Sequence, residues 1–171
     1  MSSAPARARD GTMSMMIACP EDLFVRHRAL LEWLSSRLVQ VSGRIGDSMR
    51  TELVNNLLAA INLAGAAEAL ALATRLGLDP AVTLDVIERS SGQDWIGGDR
   101  MRRALAGDLA PRAHTSLLRK DAALALDMAH AVLVQPELGA TAATLFARAC
   151  DDGWADLDDA SLYDMLARRQ R

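Results

Sequence analysis

Cysteine is scarce in this 171-residue chain: Cys19 and Cys150 stand far apart with no CxxC spacing. That pattern excludes a disulfide scaffold and a zinc site built on paired cysteines, and both residues read as small buried hydrophobes. Aromatic residues make up only 4% of the chain. Ala and Leu carry most of the apolar content instead, which favours close-packed helices over a β-sandwich. An excess of basic charge is missing too. With 19 Lys and Arg against 22 Asp and Glu, the net charge is −3 and the pI is near 5.6, whereas a nucleic-acid binder needs a basic stripe. The one basic run, Arg168-Arg169-Gln170-Arg171, reads as a solvated helix end favoured by the dipole.

Metal-binding patterns are equally absent. His27, His114 and His130 are separated and lack clustered carboxylates. Asp151, Asp152, Asp156, Asp158 and Asp159 lack the central Gly and terminal Glu of a calcium loop, so they read as a solvated acidic turn. No segment has the zones of a signal peptide, and Asn, Glu or Arg interrupts every apolar stretch near 20 residues. Neither export nor a membrane is expected, which leaves a cytoplasmic location. Gly43-Arg44-Ile45-Gly46 and Gly97-Gly98 do not form GxGxxG between a strand and a helix, and the ribose-binding acid about 20 residues later is missing. Autonomous dinucleotide binding is therefore not expected.

What is present is helical periodicity in a chain long enough for one substantial core. Strands are predicted over 13–18 and 38–41. The helix between them opens at Pro20-Glu21-Asp22 and carries Leu23, Phe24, His27, Leu30, Leu31 and Leu34. A long helix over 49–76 follows and stops at Gly77, a natural C′ residue. Asp79 and Pro80 supply an N-cap and a first-position proline for a short helix over 81–88. Gly97-Gly98 reads as a break before a helix over 100–106. His114-Thr115-Ser116 offer caps for 117–133, and Pro136 opens a helix ending near Gly153. Asp158-Asp159 start a last helix with Leu162, Met165 and Leu166, while Trp95 and Trp154 read as core or interface residues.

The long helix opens on a polar face. Glu52, Asn55 and Asn56 sit at i, i+3 and i+4, ahead of a run over 57–76 whose composition predicts burial nearly all round, with Leu57 and Ile61 in the core. Polar groups so placed must be paired, wet or facing a ligand. Each also has a plain reading. Glu52 would be an exposed carboxylate favourable to the helix dipole, Asn55 a surface or interhelical hydrogen-bonding group, Asn56 a packing support, and Arg119-Lys120-Asp121 a solvated helix turn.

Several blocks together carry a resemblance. Gly46-Asp47-Ser48-Met49-Arg50-Thr51-Glu52-Leu53-Val54-Asn55-Asn56, Ala67-Glu68-Ala69 and Gly77-Leu78-Asp79 resemble the central helix of the β-hydroxyacid dehydrogenases, which include 3-hydroxyisobutyrate dehydrogenases, tartronate semialdehyde reductases and sulfolactaldehyde reductases. Ser90-Ser91-Gly92-Gln93-Asp94-Trp95, Arg119-Lys120-Asp121, Pro136-Glu137-Leu138-Gly139-Ala140 and Asp158-Asp159-Ala160-Ser161 continue it in the family's order. Upstream, Ala4-Pro5, the stretch from Asp10 to Ile17 and Leu38-Val39-Gln40-Val41 look like the closing strands of the family's nucleotide-binding domain, without its front.

The resemblance implies a mainly α chain. A short βαβ remnant of a Rossmann domain would occupy 1–46. An all-helical domain like the C-terminal domain of 6-phosphogluconate dehydrogenase, built round one long helix, would occupy 47–171 for substrate binding and dimerisation. It also implies reversible hydride transfer between a 3-hydroxy acid and NAD or NADP, in which a Lys polarises the carbonyl. That catalytic Lys lies three residues before the Asn-Asn pair, the position that Glu52 holds here. Asn55 takes the place of the substrate-contacting Asn, and Lys120 that of the Lys near the nicotinamide ribose, with Asp121 beside it to fix its side chain. The family's serine-glycine substrate loop would be missing or compressed into Ser2-Ser3-Ala4-Pro5-Ala6-Arg7.

The expected function is thus a partial or degenerate NAD(P)-dependent 3-hydroxyacid oxidoreductase, inactive alone, binding no NAD or NADP by itself. Its partners would be a second copy or a missing nucleotide-binding half, and its substrate a small hydroxy acid or semialdehyde. The alternative is a non-catalytic helical oligomerisation module.

Overall fold

The computed structural model describes residues 8–168. The expectations on Ser2 to Arg7 and on Arg169-Gln170-Arg171 fall outside the described residues. The chain divides into two compact units, Met1–Asn55 and Asn56–Arg171.

The first unit holds strand β1 (Ser14–Ala18), helix α1 (Glu21–Leu34), strand β2 (Arg37–Ser42) and the opening of helix α2 (Asp47–Arg75). The two strands pair in parallel, from Ser14 opposite Arg37 to Ala18 opposite Ser42, with an irregularity between Ile17 and Ala18. Parallel pairing needs a crossover, and α1 supplies it, giving the expected βαβ unit. Phe24 is the one buried side chain of α1, whereas Val25, Leu30 and Leu34 are exposed and Trp33 is 88% exposed. Asp47 fastens the loop before α2. It accepts from Ser42 Oγ at 2.7 Å, Arg44 Nε at 3.0 Å and Arg50 Nη1 at 2.8 Å, and these contacts, the Ser42 bond first, hold its carboxyl below the ordinary value against the effect of burial.

The second unit is helical: the rest of α2, then α3 (Pro80–Glu88), α4 (Trp95–Leu105), α5 (Thr115–Ala131), α6 (Glu137–Ala149), a wide π turn (Cys150–Trp154), a 3-10 turn (Asp159–Ser161) and α7 (Leu162–Arg168). Ala60, Leu63, Ala67 and Leu70 form the buried stripe of α2, the 3-4-3 spacing of one helix face. They meet Leu84 of α3, Met101 of α4, Ala122 of α5, Phe146 of α6 and Leu162 of α7. Leu57 and Ile61 are partly buried at the edge of this core. Leu58 and Leu72 of the same helix are exposed, so α2 is buried on one face and not nearly all round. Composition hid this, because both faces are apolar and no polar stripe marks the open one. Among the described residues α2 is the one helix long and apolar enough to cross a membrane, a test that a core helix with such a buried stripe also passes.

Several boundaries differ from expectation. Gly97-Gly98 do not break the chain but lie inside α4, which starts at Trp95 with Asp94 as N-cap, accepting from Gly97 N at 2.7 Å. A Cβ at Gly97 would come within 2.8 Å of the Ala66 Cβ, so the glycine serves close helix approach. Trp95 is exposed rather than core. Helix α5 ends at Ala131 and is closed by Leu133, whose φ of +61° is the left-handed conformation; Val134 N donates to Ala129 O at 2.9 Å. Thr115 donates to Leu157 O at 3.1 Å instead of capping α5. Cys19 and Cys150 are half-buried and free.

Candidate functional site

The second unit joins α2 and α5 through polar side chains. Asn56, in the third turn of α2, donates from Nδ2 to Asp121 Oδ2 at 2.8 Å. Asp121 also faces Lys120, with Nζ 3.2 Å from its Oδ1. Lys120 is exposed and Asp121 half-buried. A carboxylate that accepts an amide donor on one oxygen and faces an ammonium with the other fixes both neighbours. The amphipathic pattern of α5 explains the geometry. Leu118, Ala122 and Ala125 are buried, and this turns Asp121 to the edge of the core while Lys120 reaches solvent.

Of the sequence-predicted residues, Glu52 and Asn55 lie in the first unit, on the opening turns of α2; Glu52 is half-buried, not the exposed carboxylate of the plain reading, and Asn55 is exposed. Asn56 sits near Glu52 in rotation. At about 100° per residue the two are about 40° apart, against about 60° for Glu52 and Asn55. That angle was the available signal for Asn56.

A second cluster went unseen in the sequence. Asp158 and Asp159, expected in a solvated acidic turn, are 0% and 1% exposed. Arg100 and Arg103 of α4 account for the difference, since both guanidiniums are buried against them. Arg100 Nε meets Asp159 Oδ1 at 2.7 Å and Arg103 Nη2 meets Asp158 Oδ1 at 2.9 Å. Buried charges must be paired in this way. The spacing of Arg100 and Arg103 on one helix face was the only sequence sign of the cluster.

An open cleft of about 600 Å³ is lined by Glu88, Asp94, Trp95, Asp99 and Arg102, among others. None of Glu52, Asn55 and Lys120 lines it. Its charges are engaged internally, Arg102 pairing with Glu88 and, at 2.7 Å, with Asp85. Among the described residues no three His, Cys, Asp or Glu side chains are grouped to hold a metal ion.

Residues 46–166 match a family model described as the NAD-binding domain of NADP-dependent 3-hydroxyisobutyrate dehydrogenase. An L-threonate dehydrogenase of Cupriavidus necator is 31% identical over 166 residues, covering 97% of this chain and 56% of its own. The human mitochondrial 3-hydroxyisobutyrate dehydrogenase is 30% identical over 177 residues, covering 99% and 52%. In three dimensions a 3-hydroxyisobutyrate dehydrogenase of Salmonella typhimurium superposes with a TM-score of 0.88 at 30% identity, over 96% of this chain and 57% of that one. The chain spans about half the length of the curated relatives it matches.

Proposed function

The chain belongs to the 3-hydroxyisobutyrate dehydrogenase family, and from that premise we propose that it is the helical half of an NAD(P)-dependent 3-hydroxyacid oxidoreductase, inactive by itself. Residues 1–46 belong to its nucleotide-binding domain and 47–171 form the substrate and association domain. The observation that carries this reading is the state of the first unit. Two parallel strands and one helix leave Val25, Leu30, Trp33, Leu34 and Val39 exposed, and parallel sheets are otherwise covered on both faces. A nucleotide-binding half of the length found in the relatives would cover them.

In the complete assembly, working in the cytoplasm, Lys120 contacts the cofactor and Asp121, itself held by Asn56, sets the direction of its ammonium group. Asn55 contacts a small hydroxy acid or semialdehyde; a carboxamide suits this because it donates to a carboxylate or carbonyl without adding charge. When bound, NAD or NADP would accept the hydride from the hydroxy acid, and its reduced form would return one to the semialdehyde. The position of the proton-transferring Lys is held by Glu52, a side chain of the opposite charge that cannot take over the role of an ammonium group. Glu52 favours a second reading, in which the chain is a non-catalytic module for association. The exposed Leu58 and Leu72 on α2, with Leu76 just past its end, suit a second copy of the chain in either case.

Calorimetric titration of the chain alone with NAD and NADP tests the proposal. No binding tighter than about 100 μM, about 5.5 kcal/mol, is expected, because among the described residues no helix N-terminus with a glycine cradle is available for the pyrophosphate. Mixing the chain with the separately produced nucleotide-binding half of the Cupriavidus relative should restore cofactor binding. Failure to do so would leave the association module as the function.

A further inference from the structure

A carboxylate at position 52 changes which electrophile the proposed site can serve, a consequence that rests on the oxidoreductase reading and goes beyond it. Glu52 is half-buried and Asn55 is exposed, both on the opening turns of α2. Side chains at i and i+3 are neighbours on one helix surface. A carboxylate accepts hydrogen bonds, and a carboxamide can accept through its oxygen. Together the two residues offer acceptors and one negative charge where that reading places the reacting group.

No lysine of the first unit restores what position 52 lacks. Lys120, on α5 of the second unit, is the only lysine in the chain. Arg44 and Arg50, at the start of α2, both bond Asp47, at 3.0 and 2.8 Å. A guanidinium also holds its proton too tightly to give it up.

A carbonyl is poorly served by such a face. As hydride reaches its carbon, the oxygen becomes an alkoxide that needs a proton or a positive charge beside it. A carboxylate opposes that development of charge. A protonated imine has the reverse need, because its nitrogen already carries both the proton and the positive charge, and a carboxylate with a carboxamide oxygen can face them. In the hydride step a C–H bond forms at the imine carbon and the π pair of the C=N bond becomes the nitrogen lone pair. The positive charge passes to the oxidised nicotinamide. The protein transfers no proton in this step, and the amine takes one from water afterwards.

We propose a further activity for the completed assembly: Glu52 and Asn55 hold a small protonated imine, which NAD(P)H reduces to the corresponding amine. Glu52 keeps the imine nitrogen protonated and binds the ammonium form of the product, and Asn55 accepts from the same N–H. The exchange of ammonium for carboxylate then alters the electrophile and leaves hydride transfer intact.

The test uses the full chain mixed with the nucleotide-binding half of the Cupriavidus relative. Cofactor binding, NAD(P)H oxidation and calorimetric binding of pyrrolidinium, the product of the cyclic imine pyrroline, are measured together. Turnover of pyrroline is expected to exceed that of any small semialdehyde by about 100-fold or more, since only the semialdehydes need the missing proton donor. Pyrrolidinium binding should weaken by about tenfold or more in Glu52→Gln, which keeps the shape and removes the charge, and Glu52→Lys should reverse the preference between the two substrates. Cofactor binding without faster turnover of pyrroline, or pyrrolidinium binding unchanged in Glu52→Gln, overturns the imine activity alone. An assembly that binds no cofactor overturns the oxidoreductase reading and the imine activity with it. Should the variants not fold, the comparison of pyrroline with the semialdehydes in the parent assembly decides.

Discussion

Asn56 and Asp121 are 65 positions apart in sequence and 2.8 Å apart in space, so a single amide-to-carboxylate bond ties the long helix to the helix that carries Lys120. Hydrogen bonds to charged groups contribute about 1.5 to 3 kcal/mol, less where water reaches them. Replacing Asn56 by Ala should therefore cost about 1 kcal/mol in chemical denaturation. A double-mutant cycle with Asp121→Asn should recover most of that loss as coupling energy. Additive losses would show that the bond carries no net stability and that Asp121 orients Lys120 unaided.

The Glu52 position invites a direct test. In the chain supplied with a nucleotide-binding half, NAD(P)H oxidation against a panel of small semialdehydes should run near background. Glu52→Lys should raise it by about 100-fold, the lower range of general acid–base contributions. Equal turnover by the two forms would assign the proton chemistry to another residue.

The one-sided burial of α2 makes a contrast between two leucines. Leu63, fully buried, should cost about 2 to 5 kcal/mol when cut to Ala, through lost transfer energy and a residual cavity. Leu72, exposed on the opposite face, should cost less than about 0.5 kcal/mol in dilute solution. A large loss at Leu72 that grows with protein concentration would mark that face as covered by a second copy.

Leu133 occupies a conformation that costs an ordinary residue about 1 to 2 kcal/mol. Its side chain is 92% exposed and contributes little packing in return. Leu133→Gly should raise stability by about 0.5 to 1 kcal/mol once the greater freedom of unfolded glycine is subtracted. That corresponds to a rise in Tm of about 1 to 4 °C. An unchanged or lowered Tm would mean that the leucine is held by contacts beyond this chain.

Legibility in the sequence followed the range of the interaction. Gly77 and Asp79 act within a few residues of themselves, and both take the roles their local context predicts: Gly77 has φ +76° at the end of α2, and Asp79 accepts from Ala81 N at 2.8 Å. Gly97 misled because its reason lies on another helix, at Ala66. Asp158 and Asp159 misled more strongly, since a run of acids reads as solvated until the two arginines that bury it are brought up from α4. Lys120 and Asn55 were named through resemblance; no spacing in the sequence pairs Asn56 with Asp121.

The approach at Gly97 also constrains how the sequence can change. The space a methyl group would need at position 97 is already filled by the methyl group of Ala66 and by Asp94. Positions 66 and 97 therefore form an epistatic pair, in which the cost of a substitution at one depends on the occupant of the other. A lineage could enlarge position 97 only after position 66 had shrunk to glycine and the cap at Asp94 had given way. The order of those steps, more than the cost of any one of them, limits the paths open to this stretch of the protein.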